Sequence, residues 1–450
     1  MTVRSFRDPA GWLVDDGKRI LRHVNPSAQA NLDALLASPL YAALVGSGQL
    51  IPARQLEVGL VEHPRVELPT YPFEWTPAML ADAGRLTLAV QREAWSQGWT
   101  LKDASAFNIL FDGATPRLCD LLSLQPRTPA DPPGWAAYGQ FVRHFVLPLL
   151  AIGEHGRQPR DIFLSRRDGL RASEVAPFVR WHRHLGLAMW LHVRLPARIE
   201  KRRIIEAALP APKVQRAPMR DGTPWLLGSL WALIDKLATP RKRHGAWSAY
   251  TANRDHYGNA ELRAKRLAVQ AFVASQRHAR ALDIGANSGE FAELLAPHCD
   301  EVVALDEDLD ALDELYRRAP ARHLTCVHAN LARETPPTGW RLGESRGLAQ
   351  RFAGRFDLVL MLAVIHHLVV TERLPLNQLV ESVAGWCRGT LLVEYVSRDD
   401  PRFIEIAGPN LALYRDWSLS GFLRAAEPWF QLERQTELSP HRQLLQLRRR

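Results

Sequence analysis

The chain has 450 residues, 46% hydrophobic and 23% charged, an ordinary globular composition with length for two or three domains. Its formal net charge of +9 comes with arginines spread along the sequence and short basic clusters at 201–203, 241–243 and 448–450. That dispersal makes nucleic acid an unfavoured partner without removing it. The longest apolar run, 358–370, is interrupted by His366 and His367 and is too short to span a bilayer. The start, MTVRSFRDPAGW, lacks the apolar core of a signal peptide, and Cys119, Cys299, Cys326 and Cys387 show no CxxC spacing. A cytoplasmic protein with no membrane span, disulfide framework or zinc site is expected.

The N-terminal domain is predicted over residues 1–209. Its informative stretch is GWTLKDASAFNILFDGATPRLCDLLS at 98–123. Asp103 is followed by Asn108, then by a strand, an Asp-Gly turn at 112–113 and a returning strand that ends on Asp120. In phosphoryl transferases such spacing gives an Asp that orients the acceptor hydroxyl and an Asn and a later Asp that hold magnesium. The segment resembles the aminoglycoside-phosphotransferase and protein-kinase-like fold, which implies an α+β kinase-like domain here. Lys102 stands near the family's usual histidine pair, and Leu121 and Leu122 follow Asp120. Residues 1–90 show no clear glycine-rich loop or strand lysine. The expected role is therefore that of a degenerate domain that helps to hold substrate. Mg-ATP is a cofactor only if this half is active, which would make the chain bifunctional.

Four prolines mixed with charges at 210–224 mark a connector, and WLLGSLWALIDKL after it is an amphipathic helix. Residues 210–240 are read as a linker and bracing helix between the halves. A second proline cluster, at 126–133, is read as a loop. The C-terminal domain is placed at 241–450. It opens on Trp247, Tyr250 and Tyr257, followed by a helix over 261–273 with Leu262, Leu267, Val269 and Val273 near one face.

Residues 282–306, LDIGANSGEFAELLAPHCDEVVALD, carry the strongest signal in the chain. An apolar strand ends at Asp283, a turn of Gly285, Ala286, Asn287, Ser288 and Gly289 opens into an amphipathic helix, and a second strand ends at Asp306. This is the first βαβ half of a doubly wound nucleotide-binding fold. A dinucleotide fingerprint would place a glycine where Asn287 stands and would leave room for a pyrophosphate. Here Asp283 and Glu290 flank the turn, which suits a ligand with ammonium and sulfonium charges. Asp306 is placed to accept from ribose hydroxyls.

The pattern resembles motif I and the following acidic loop of class I S-adenosylmethionine-dependent methyltransferases. The resemblance implies a Rossmann-like seven-stranded α/β domain, completed by the strand at 324–330, the run FDLVLMLAVIHHL, TLLVEYV at 390–396 and a closing hairpin, FQLERQTEL with RQLLQLRRR. A helical stretch is expected at 411–426, and a flap or short helix before strand four. The front of the chain (55–150), IHHL and VEYVSRDDP also resemble a bacterial group of two-part methyltransferases that includes nodulation-related proteins. What the resemblance implies for the cofactor, S-adenosylmethionine, is contact with Asp283, Gly285, Asn287, Gly289, Asp306, Glu307, Asn330, Leu331 and Tyr257, with Asn330 near the adenine amino group. Tyr257 could instead pack its own helix.

Methyl transfer is mostly alignment, but an oxygen or nitrogen acceptor can also need a base near the working pH. His366 and His367, at the end of strand four, are the first candidates, and Glu394, at the end of strand five, is the second. The histidines could equally cap the strand. No metal is expected at this site. The region 361–364, MLAV, lacks the Asn/Asp-Pro-Pro-aromatic turn that grips a flipped base in amino-directed nucleobase methyltransferases, leaving RNA oxygen or carbon methylation as the alternative to a small-molecule, sugar or carrier-bound acceptor. An adaptor that keeps its cofactor only as structure is the non-catalytic alternative.

Overall fold

A computed structural model describes residues 2–5, 8–128, 134–180, 182, 186–206, 221–239, 259–318 and 323–450. Tyr257, Trp247, Tyr250 and most of the two proline-rich segments lie outside these residues. The chain divides into two compact units: residues 1–242 with 338–345, and residues 243–337 with 346–450. No helix among the described residues is long and apolar enough to cross a membrane.

The first unit opens on a five-stranded antiparallel sheet: β1 (Thr2–Ser5), β2 (Gly11–Asp15), β3 (Ile20–Val24), β4 (Arg54–Glu57) and β5 (Leu60–His63), in the order β1-β2-β3-β5-β4. Helices Pro26–Leu36 and Pro39–Gly46 lie between β3 and β4. Helix Pro77–Ser96 follows, begun by Thr76, whose hydroxyl accepts from the Met79 amide, with Pro77 in the first turn where no amide is needed. Two small ladders come next. β6 (Trp99–Leu101) pairs with β9 (Leu124–Pro126), and between them β7 (Ile109–Asp112) pairs with β8 (Thr115–Leu118). The register sets Asp112 opposite Thr115, so the turn falls on Gly113 and Ala114, one residue beyond the Asp-Gly step read from sequence.

Helix Thr223–Ala238, expected to brace the two halves, belongs to the first unit. Asp235 accepts from Arg85 Nε at 2.7 Å, Ser229 meets His192 Nε2 at 3.0 Å, and Trp231 lies under the Arg92 guanidinium. All of those partners precede the connector, so the helix is fastened backwards along the chain.

The second unit is a doubly wound sheet with the order β12-β11-β10-β13-β14-β16-β15. Its parallel strands are β10 (His278–Ile284), β11 (Cys299–Asp306), β12 (Leu324–His328), β13 (Phe356–Met361) and β14 (Cys387–Val396). β15 (Phe430–Ser439) and β16 (Arg442–Arg449) close it as an antiparallel hairpin, with β16 against β14. Near-continuous apolar runs are what strands covered on both faces require, and Leu358, Val359 and Leu360 are fully buried. The strand order reverses between β10 and β13, so a crevice is expected beyond their carboxyl ends.

Two local readings are corrected and one holds. Leu267 is 60% exposed, whereas Val269 and Val273 are buried, so it lies off the apolar face of helix Asn259–Ala274. The stretch 411–426 is broken: a 3-10 segment, Gly408–Tyr414, precedes helix Leu419–Ala426, whose cap is Ser418. The short helix expected before β13 is present at Leu348–Phe352, preceded by a 3-10 turn, Trp340–Leu342, and an isolated bridge from Thr338 to Ser345.

Candidate functional site

The turn after β10 is built to approach something closely. Gly285 (φ 76°), Asn287 (φ 49°) and Gly289 (φ 86°) all lie in the left-handed region, which glycine and, less easily, asparagine tolerate. A Cβ on Gly285 would also stand 2.5 Å from Val364 Cγ2, and one on Gly289 2.3 Å from Leu315 Cδ1. The turn is tied to β11: the Gly285 and Ala286 amides donate to the Leu305 carbonyl at 2.9 and 3.1 Å. The Asn287 amide donates to Asp306 Oδ2 at 2.6 Å, and the Asp308 amide to Asp306 Oδ1 at 2.7 Å.

Asp283 and Asp306, at the ends of neighbouring strands, are 2% and 9% exposed. Oδ2 of Asp283 is buried without a hydrogen-bond partner. Burial raises the Asp283 pKa to about 7, and the charge of Asp306 adds to the rise. Burial likewise raises Asp306 to about 6, against the two amides that stabilise its charge. Two partly desolvated carboxylates that repel one another form a place where a cation lowers the energy. Glu290, the third acid at the turn, stands 3.6 Å from Arg266.

The polar residues beyond β11 and β12 are occupied with one another. Asn330 donates from Nδ2 to Glu372 at 3.1 Å and to Glu307, while its Oδ1 takes the Ala332 amide at 2.6 Å. Arg333 pairs with Glu307 at 3.5 Å and Glu372 at 3.2 Å. Leu331 beside them is buried. Asn330 thus serves the loop that a purine would have to meet, and its amide would have to leave a carboxylate to bind one.

Beyond β13, Ala363 takes a positive φ of 55° and the chain enters a π-helical turn, His367–Thr371. His366 is 1% exposed, its Nδ1 buried without a partner, and its ring lies 4.4 Å from that of half-buried His367. Burial, with Arg402 and Arg442 nearby, lowers His367 to about 4, and His366 is lowered as well. Both are neutral at pH 7. As general bases they fall short of the near-neutral value that proton transfer favours, which leaves hydrogen bonding as what they offer.

Glu394 corrects the sequence reading. It is the second candidate base from sequence, but it is fully buried with both oxygens engaged, Oε2 by Lys265 Nζ at 2.7 Å and Oε1 by Arg442 at 3.1 Å. Arg442 continues to Asp400 through Nε (2.7 Å) and a terminal nitrogen (3.2 Å), and Asp400 caps helix Pro401–Ala407 through the Arg402 amide. Asp400 is itself only 4% exposed. Lys265 and Arg442 were missed. The signal for Lys265 was present: it falls with Leu262, Val269 and Val273 at helical spacing, a charge on an apolar stripe. Four alternating charges thus join one helix, β14, β16 and the loop after β14 at the carboxyl edge of the sheet.

In the first unit, Asp103 accepts the Ser105 amide at 2.9 Å, and the Asn108 carbonyl accepts the Cys119 amide at 2.8 Å while its Nδ2 is buried without a partner. Asp120 accepts from Arg22, on β3, at 2.8 Å, and Arg22 also reaches the Cys119 carbonyl at 3.2 Å. Burial lowers His63 to about 4, so neutral Nε2 can accept Arg22 Nε at 3.4 Å while Nδ1 donates to the Pro52 carbonyl. Asp103 is near enough to repel the Asp120 charge. The charge that would hold magnesium is met by an arginine of the chain itself.

No family model matches the sequence. The chain is similar to nodulation protein NoeA of Rhizobium meliloti (strain 1021), 26% identical over 438 residues, or 94% of this chain and 90% of that protein. Among solved structures it is similar to the N-methyltransferase NodS of Bradyrhizobium japonicum WM9 in complex with S-adenosyl-L-homocysteine: 14% identity, 44% of this chain, 97% of that one, TM-score 0.31. The PH0226 protein of Pyrococcus horikoshii OT3 is another, at 15% identity, 46% of this chain, 100% of that one and a TM-score of 0.33.

Proposed function

We propose that the second unit is an S-adenosylmethionine-dependent methyltransferase acting on a small-molecule, sugar or carrier-bound acceptor. The observation that carries this reading is the pair of buried carboxylates, Asp283 and Asp306, at the carboxyl ends of adjacent parallel strands beside a turn that only small residues can make. An orphaned carboxylate oxygen on Asp283 favours a ligand bearing positive charge over a pyrophosphate. Asp306, Glu307 and Asn330 would flank the nucleoside, and Gly285, Asn287 and Gly289 would let the backbone come close. Tyr257 remains a proposed contact on the basis of its place before the helix.

When bound, the sulfonium supplies its methyl carbon to the acceptor's lone pair while the carbon–sulfur bond electrons pass to sulfur. The chain's own task is then to align and to exclude water. His366 and His367, both neutral, can accept a hydrogen bond from an acceptor hydroxyl or amine without taking its proton beforehand. His367→Ala is expected to lower turnover at least tenfold with little change in cofactor affinity. Equal losses in calorimetric affinity and labelled-methyl transfer would instead assign His367 to the fold. With its folded-state pKa near 4, no histidine-driven change of rate is expected between pH 6 and 7.

For the first unit, the sheet order with helices between β3 and β4, and the paired ladders β6–β9 and β7–β8, support the kinase-like reading. The Arg22–Asp120 pair favours its degenerate form, a holder of substrate, over phosphate transfer. Titration of the full chain should give heat with S-adenosylmethionine and none with Mg-ATP. Saturable Mg-ATP binding that disappears in Asp120→Asn would restore the bifunctional reading, and failure of S-adenosylmethionine to bind would remove the main one.

A further inference from the structure

A cavity of about 420 Å³ lies within the second unit, in the size range of small-molecule sites. Its walls come from the segments that follow β13 and β14, so it opens among the connections that leave the sheet's carboxyl edge. The lining is largely aliphatic, with Leu376, Ile406 and Leu413 among it, and its polar members are Arg373, Asn410 and Tyr414. Tyr414 is already engaged, donating to the Val370 carbonyl at 3.3 Å. No carboxylate is among the described residues that line the cavity.

Arg373 is the distinctive residue. It has no ion-pair partner among the described residues, although its neighbour Glu372 is paired with Arg333. Its backbone sits at φ 55°, where a non-glycine residue is strained. An exposed arginine with a strained backbone, at the mouth of a half-open pocket that combines aliphatic and polar surface, is a recognition element for a molecule with the opposite charge on an apolar body. We propose that this cavity anchors the methyl acceptor and that the acceptor is a small amphipathic carboxylate, its apolar body against Leu376 and Ile406 and its carboxylate on Arg373. The acceptor role rests on the methyltransferase reading; the binding specificity does not.

The test is calorimetry on the full chain with decanoate, 1-decanol and decylammonium, each below its micellar concentration. Decanoate is expected to bind at least tenfold more tightly than decanol, and decylammonium more weakly than either. Arg373→Gly is expected to bring decanoate down to the affinity of decanol and, by relieving the backbone, to raise the melting temperature; Arg373→Lys should keep part of the preference. Decanoate binding should persist with S-adenosylhomocysteine present. Equal affinity for decanoate and decanol, an unaltered preference in Arg373→Gly, or displacement of decanoate by S-adenosylhomocysteine would overturn the proposal. If S-adenosylmethionine binds and decanoate does not, the cavity assignment fails and the methyltransferase reading stands. If decanoate binds and S-adenosylmethionine does not, the acceptor role fails with that reading.

Discussion

Glu394→Ala is expected to destabilise the second unit by about 3–5 kcal/mol, the usual cost of removing one member of a buried ion pair and stranding the rest. Lys265 and Arg442 are 3% and 4% exposed, so water cannot take over the solvation that Glu394 provides. Arg442 would keep Asp400, whereas Lys265 would lose the carboxylate oxygen that stands 2.7 Å from its ammonium. Glu394→Gln should cost less, since an amide oxygen still accepts one of the two hydrogen bonds. Adding Lys265→Met to Glu394→Ala should recover part of the loss by removing a buried cation together with its carboxylate. Urea unfolding of the three variants measures this, and a midpoint for Glu394→Ala close to wild type would mean that the network carries no such weight. Because the network ties a helix to β14 and β16 beside the proposed site, the methyl-transfer rate of the double variant reports whether it also positions the site.

The sheet was legible because its strands are buried on both faces, and such strands declare themselves as apolar runs ended by chemistry-bearing residues: Asp283, Asp306 and the histidine pair. The turn after β10 was legible for a similar reason, since three left-handed residues in five demand small or turn-forming side chains. Pairings across long sequence separations were not legible. Lys265 meets Glu394 across 129 positions, Arg442 meets it across 48, and Arg22 meets Asp120 across 98. A carboxylate at a strand end reads as available until its partner is placed, so Glu394 and Asp120 looked like chemistry and turned out to be held. Arg22, buried on β3, uses its planar fork to serve a carboxylate, a carbonyl and an imidazole together, a set of partners that nothing near it in the sequence announces. Arg373 carries no sequence signal, because backbone strain at a non-glycine residue is invisible in the letters.

Affinity for S-adenosylmethionine is expected to rise with pH through about 6 and about 7 and to level off roughly one unit above the higher value. Burial raises the folded-state pKa values of Asp283 and Asp306 to about 7 and about 6, well above the ordinary carboxylate value of 3.8. Between about pH 4 and pH 7 the folded chain therefore holds protons that the unfolded chain has released, and stability falls as pH rises through that window before levelling off. A cationic ligand favours the charged carboxylates, so it must expel those protons to bind at low pH and binds freely once both are charged. Asp283→Asn removes a desolvated charge that only the Ala292 amide offsets: at pH 8 the ligand-free protein should gain on the order of 2 kcal/mol while losing cofactor affinity. Asp306→Ala should weaken the cofactor by about 1–3 kcal/mol, the cost of unpartnered ribose hydroxyls. It should also destabilise the protein, because the Asn287 and Asp308 amides lose their acceptor. Opposite signs for stability in the two variants, with weakened cofactor binding in both, separate a carboxylate kept for its charge from one that also holds the turn. Calorimetry at pH 5.5, 7 and 8.5 with thermal unfolding in the same buffers decides it, and an affinity independent of pH, together with an Asp283→Asn variant less stable than wild type at pH 8, would mean that no cation is awaited there.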